Sequence, residues 1–154
     1  MGQATSPMKD LVNALSGKWS IAETYEDGTT DKGEEVWRTP PDKMQLIEEY
    51  HSVDTGSRDV YEFAVIWWDG KATKLRGLWC AAAFNDEGCS AFSVRRLGNR
   101  IEMTGQYEVR NKRFNWRETF TLATRTFTQI LDIGPTGGTL KRAVTIRATK
   151  LSRD

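Results

Sequence analysis

The chain has one histidine, His51, and two cysteines, Cys80 and Cys89, in 154 residues. A lone imidazole with no His or Cys cluster near it does not build a zinc site, so no metal is expected. A Ser-His-acid triad would need that same histidine, and no Gly-x-Ser-x-Gly elbow presents a serine. His51 falls on the opposite strand face from Met44, Leu46 and Tyr50 and reads as a surface residue. The "GPTGG" segment is followed by a strand rather than a helix, so it is not a phosphate loop, and no cofactor is expected.

Charge of one sign is lacking as well. The formal net charge is +1, which gives no strong field toward nucleic acid or anionic lipid. Outward Arg113, Arg117, Lys141 and Arg147 could form a basic strip, but Glu102 and Glu108 interrupt it. Nucleic acid is therefore not an expected partner. No apolar run approaches the roughly 18 residues of a membrane span. The opening "MGQATSPMKDL" has no apolar leader core, although Met-Gly with Ser6 fits the loose myristoylation pattern. A cytoplasmic location is expected.

What is present suits one domain over residues 1–154. Charged residues at 28% suit a soluble surface, and apolar residues at 38% suffice for a core. Six tryptophans, six phenylalanines and four tyrosines supply large rings to fill that core or line a cavity.

One short helix is expected at about 7–16. Ser6 suits its N-cap, Pro7 its first turn and Gly17 its end, while Met8, Leu11, Val12 and Leu15 make a single apolar stripe. Everything afterwards alternates. Strands are expected near 18–26, 34–38, 44–52, 59–68, 74–84, 89–97, 100–109, 113–123, 126–133 and 140–151, separated by short turn-like segments. Ten sequential strands with short links predict an antiparallel up-and-down β-barrel over about 18–151, with the helix over one end.

Turn chemistry sets a trial register. Gly98-Asn99 puts Val94 opposite Met103. Asn111-Lys112 puts Tyr107 opposite Trp116, and Glu118 opposite Gly105, which would leave room for the carboxylate. Thr124-Arg125 puts Trp116 opposite Ile133. A six-residue loop then sets Phe127 against Ile146 and Leu131 against Arg142. Apolar residues stay on one face through all four hairpins, which a one-residue slip would destroy.

The same register turns polar groups inward. Glu118 interrupts the run Phe114, Trp116, Phe120, Leu122 and would lie within reach of Arg142, with Gln129 nearby. Glu23 shares a face with Trp19, Ile21 and Tyr25, and Glu48 shares one with Leu46 and Tyr50. Buried carboxylates must be paired, hydrated or neutralised. Three readings of Glu118 stay open: a structural pair with Arg142, a polar anchor in an aromatic-lined cavity, or an outward position behind a bulge.

Two local questions remain. With "NDEG" as a turn, Cys80 faces Ser93 and both thiols are free, the default expectation; a register shifted by four would pair Cys80 with Cys89. In "EFAVIWWDGK" the tryptophans point to opposite faces. A two-residue turn sends Glu62, Ala64, Ile66 and Trp68 inward. A five-residue loop sends Tyr61, Phe63, Val65 and Trp67 inward, and this wholly apolar set is preferred. Trp68 would then stand outside with Ile66, a patch suited to a homo-oligomer contact.

The opening "LSGKWSIAETYEDG" resembles the Gly-x-Trp start of calycin-type barrels, here Gly17 and Trp19, whose tryptophan packs at the closed end. The ordered segments "GEEVWR", "LIEEYHS", "WWD", "RGLWC" and "GC" resemble bacterial proteins of a lipocalin-like domain of unknown function. The resemblance implies a barrel with an interior for lipophilic molecules. A haem-binding branch uses a late histidine, which this chain lacks.

The reading is a lipocalin-like barrel that binds a small lipophilic or amphipathic ligand inside. Glu118, Gln129, Arg142 and Glu23 would be polar contacts, and Tyr25, Trp67, Trp79, Tyr107, Trp116 and Phe120 aromatic ones, with Trp19, Phe92 and Phe127 also lining the interior. No catalytic residue is assigned. The alternatives are an isomerase- or cyclase-type enzyme using an interior glutamate, and an interaction protein with no cavity ligand.

Overall fold

The computed structural model describes residues 7–53 and 61–151. Helix α1 (Pro7–Leu15) precedes β1 (Gly17–Tyr25), β2 (Thr30–Arg38), β3 (Gln45–Ser52), β4 (Tyr61–Asp69) and β5 (Lys74–Cys80). The chain continues through β6 (Cys89–Leu97), β7 (Arg100–Val109), β8 (Lys112–Leu122), β9 (Thr126–Pro135) and β10 (Lys141–Lys150). Each strand pairs antiparallel with its chain neighbours, and β10 closes onto β1, so the expected ten-stranded barrel with one short helix is the fold. Ser6 and the Met-Gly start lie outside the described residues.

The helix forms for the reason its stripe suggested: Met8, Leu11, Val12 and Leu15 are all buried. It packs against β3 and β4 at one end of the barrel. Gly17 then turns the chain into β1 with φ +136°, a conformation that strains any residue with a Cβ. Trp19 donates its indole N–H to the Leu15 carbonyl at 2.8 Å, satisfying one of the acceptors that a helix end leaves open. Its ring packs on Phe127 with centroids 4.7 Å apart. Leu46, Ile66, Leu75 and Ile101 complete this floor, all buried.

The strand faces follow the expected alternation, but two registers differ by two residues. The β7–β8 turn is Arg110-Asn111, both at positive φ (51° and 60°), as a two-residue turn of this twist requires. Arginine is not a residue from which that conformation is read. In consequence Gly105 faces Trp116, Tyr107 faces Phe114, and Glu118 faces Met103 rather than Gly105. Gly105 instead makes room for a ring, since a Cβ there would lie 2.8 Å from the Trp116 indole.

The β9–β10 register also departs from expectation. Phe127 faces Ala148, and a bulge between Arg142 and Val144 turns Ala143 and Val144 toward the interior. Arg142 is left exposed opposite Asp132. Of the three open readings of Glu118, the structural pair with Arg142 is therefore absent, because the extra residue keeps the guanidinium in solvent.

Two further expectations are corrected. Residues 70–73 link β4 to β5, a length that keeps the parity of the two-residue alternative. Ala64 and Ile66 are buried, Glu62 lines the interior, and Trp68 packs against the core opposite Leu75. Trp67 lies on the outer face, paired with Gln45 and Arg76. The Ile66–Trp68 contact patch on the outer wall accordingly does not exist.

Finally, β5 stops at Cys80, which pairs with Cys89 in a disulfide rather than facing Ser93 as a free thiol. Residues 81–88 form a loop anchored by buried Ala81 and Asn85, whose amide donates to Ser90 Oγ at 2.6 Å.

Candidate functional site

Above the aromatic floor, the barrel interior holds a cavity of about 330 Å³. Its lining divides by strand. The four adjacent strands β1–β4 each send in one glutamate: Glu23, Glu35, Glu48 and Glu62. Tyr25, Trp37 and Tyr50 add rings from β1, β2 and β3, and the strands that follow send in Trp79 from β5, Phe92 from β6, Tyr107 from β7 and Trp116 from β8. Glu118 and Gln129 add polar groups from β8 and β9.

The aromatic wall is one continuous cluster. Trp79 meets Tyr107 and Trp116 at centroid distances of 6.1 and 6.3 Å, and Phe92 meets Trp116 at 5.5 Å. Inward glycines let these rings lie close to the sheet; a Cβ on Gly77 would sit 2.1 Å from the Phe92 ring. Edge-to-face and tilted contacts of this kind hold ring positions beyond what apolar burial alone specifies.

The carboxylates are deeply placed. Glu35 and Glu48 are buried, and burial is the largest cause of the upward shift in each interior group below. It pushes Glu35 up to about 7, against an opposing N–H from Trp37 and with reinforcement from Glu62 and Glu23. Glu62 also rises to about 7, with an N–H from Trp79 at 3.2 Å pulling it back. Glu118 reaches about 8, raised further by Glu62 and Glu35, while the Gln129 amide opposes. Glu48 lies well above the ordinary carboxylate range, with Glu35, Glu62 and Glu118 adding to its burial. The four groups act on one another and form one electrostatic cluster.

Some polar atoms on this surface are unsatisfied. Gln129 is 6% exposed, and its Oε1 has no hydrogen-bond partner among the described residues. The Trp116 indole N–H is buried in the same state. Tyr25 donates to Glu23 at 2.9 Å nearer the mouth. No Lys, Arg or His among the described residues lines the cavity.

The mouth lies at the end opposite α1. Phe84, 39% exposed, reaches into the cavity lining from the 81–88 loop. That loop is tied to the β7–β8 hairpin by Asp86 N–H to the Glu108 carbonyl at 2.7 Å and by the Arg113–Glu87 ion pair at 3.1 Å.

Of the residues singled out from the sequence, Glu118, Gln129, Glu23, Tyr25, Trp79, Tyr107, Trp116 and Phe120 line the cavity, as does Phe92. Trp67 and Arg142 do not, and Trp19 and Phe127 belong to the floor beneath it. Glu35 and Glu62 were missed. Glu35 could have been found from the alternation Gly33, Glu35, Trp37, which matches the inward sets of its neighbours. Glu62 was lost to the preference for an all-apolar face. His51 is exposed, and among the described residues no group of His, Cys, Asp or Glu is arranged to hold a metal ion.

No family model matches the chain, and no curated protein does. Among solved structures it is similar to Rv2717c from M. tuberculosis, with a TM-score of 0.59 and 11% identity over 95% of this chain and 98% of that one. It is also similar to a redesigned β-barrel, b11L5F_LGL, with a TM-score of 0.53 and 13% identity over 92% and 95%. At such identities the likeness shows the barrel fold alone.

Proposed function

We propose that the protein binds a small amphipathic organic molecule inside the barrel. The observation that carries this is the mixed lining of the cavity: a chamber of about 330 Å³ bounded by a cluster of aromatic rings and by five inward glutamates. A barrel built only for stability would fill this space with side chains. Pockets for organic ligands combine an apolar lining with a few convergent polar groups, which matches the lining here. Kinship with lipocalin-like barrels is part of the proposal, supported by Gly17-x-Trp19 and the floor it builds.

The test uses a neutral, environment-sensitive probe, N-phenyl-1-naphthylamine. Its emission should rise saturably at one equivalent per chain, and Trp79 and Trp116 emission should fall in step. Emission that grows without saturation would remove the reading.

A second reading is favoured by one observation: Glu118 rises to about 8 while Glu35 and Glu62 lie near 7. Carboxyls poised there can donate and accept protons near neutrality, as isomerase or cyclase chemistry would require. Glu118→Gln would then keep ligand binding and lose turnover.

Among the described residues no helix is long and apolar enough to cross a membrane. The Cys80–Cys89 bond supports an oxidising compartment over the expected cytoplasm, where thiols are kept reduced.

A further inference from the structure

We propose that the chamber selects organic cations: a ligand with one ammonium group, seated among Glu35, Glu48, Glu62 and Glu118, and an apolar body lying on the Trp79–Trp116 wall. The inference rests on the interior-binding reading and names the ligand class for it.

The argument begins with what the carboxylates lack. Four glutamates from β2, β3, β4 and β8 converge on one cavity, and no cationic side chain among the described residues lines it. Buried carboxylates need protons, donors or a counter-charge. Glu35 and Glu62 each have one indole N–H, from Trp37 and Trp79. These bonds orient the carboxylates and leave most of their acceptor capacity open. A bound ammonium would supply both the missing charge and the missing donors.

Gln129, whose amide also meets Glu118, fits the same ligand. Its Oε1 is an acceptor with no partner among the described residues, on a side chain that is more than nine-tenths buried and lines the cavity. An acceptor in that position asks for a donor, which an ammonium carries and an anion does not. The aromatic lining fits as well, because Trp79, Trp116 and Tyr107 offer apolar surface for the body of an organic cation, and aromatic rings attract cations at their faces. Among the described residues the carboxylates are not arranged to hold a metal ion, so the counter-charge suited to this chamber is a bulky organic one.

Proton linkage gives the inference a second handle. The titratable groups facing the cavity are Glu23, Glu35, Glu48, Glu62 and Glu118, with Tyr25, Tyr50 and Tyr107. Burial keeps protons on the central glutamates near neutrality. A cation favours their ionised forms, so it must displace protons and bind more tightly as pH rises.

The experiment titrates 2-phenylethylammonium, which stays protonated at both pH values and carries N–H donors, by calorimetry at pH 6 and 8.5. Phenylacetate and calcium chloride serve as comparison titrants. The expected result is at least tenfold tighter binding of the ammonium at pH 8.5 than at pH 6, with proton release detected in buffers of different ionisation enthalpy. Phenylacetate and calcium should neither bind nor compete. Glu48→Gln and Glu118→Gln should each weaken the ammonium about tenfold, with circular dichroism melts establishing that both variants fold.

Phenylacetate binding as tightly as the ammonium, or calcium displacing it, would overturn the inference. So would an affinity that neither variant changes. If N-phenyl-1-naphthylamine binds and 2-phenylethylammonium does not, the cation inference falls and the interior-binding reading stands; if neither binds, both fall.

Discussion

Ionising a carboxyl in a protein interior costs several kcal/mol unless a donor or a cation goes with it. This barrel places Glu35, Glu48, Glu62 and Glu118 around one cavity without supplying a cationic side chain among the described residues. Their carboxyls hold protons more firmly folded than unfolded, so the linkage sign is definite. The stabilisation is fully present below the ordinary value of 4.5 and is lost as pH rises through about 7 to 8. A group raised from 4.5 to about 7 contributes at most about 3 kcal/mol to that loss. The melting temperature of the empty protein should therefore fall by at least roughly 10 °C between pH 5 and pH 8.5. Glu48→Gln should flatten the slope and raise Tm at pH 8.5 by about 3 °C, since it removes a charge that is costly to form there. Scanning calorimetry across pH checks both, and a wild-type Tm that rises over this range would contradict the placement. These residues also mark the limit of reading at this scale. Glu118, Glu23 and Gln129 were legible because each interrupts an otherwise apolar face. Glu62 was not, because the rule that the apolar set faces inward is the one a ligand chamber breaks.

At the scale of elements, the mouth is set by a short strand and a stapled loop. β5 ends at Cys80, and the Cys80–Cys89 disulfide closes the base of the 81–88 loop that carries Phe84 to the cavity. Cross-linking two residues with a sequence separation of 9 stabilises by about 2–3 kcal/mol through loop closure. Reduction, or the Cys80→Ser/Cys89→Ser pair, should lower the unfolding free energy in urea by that amount. Amide exchange should quicken at residues 81–88 while the β7–β8 hairpin stays protected. Equal urea midpoints with and without reductant would show that the staple contributes nothing. Elements were more legible than their registers. Four hairpins were placed from turn residues with the right faces except at the start of β10, because face parity is tied to the apolar alternation. A shift of two preserves parity, so the β7–β8 turn at Arg110-Asn111 left no mark in the pattern, whereas the one-residue bulge at Ala143 reverses the face of Arg142 before it. The free-thiol expectation failed for a related reason: a shift of four keeps the same faces, and the pattern cannot choose between them.

At the scale of the whole molecule, the parts form an asymmetric container. The helix and Trp19 close one end, adjacent strands β1–β4 provide four of the five inward glutamates, and β5–β8 provide the Trp79–Trp116 ring cluster together with Glu118. This division was invisible in the sequence. It depends on which strand lies beside which and on every face being right at once. The closed up-and-down topology supplies that order. The central claim is that the container is occupied, and one measurement tests it most directly. Protein purified from its native source is denatured and extracted, and the released small molecules are quantified by mass spectrometry. The Ala64→Phe variant, which places a ring between Glu48 and Trp79, is treated in parallel. The account predicts a near-stoichiometric small molecule from the natural protein and little or none from the folded variant. Equal recovery from the two, or nothing from either, would contradict it.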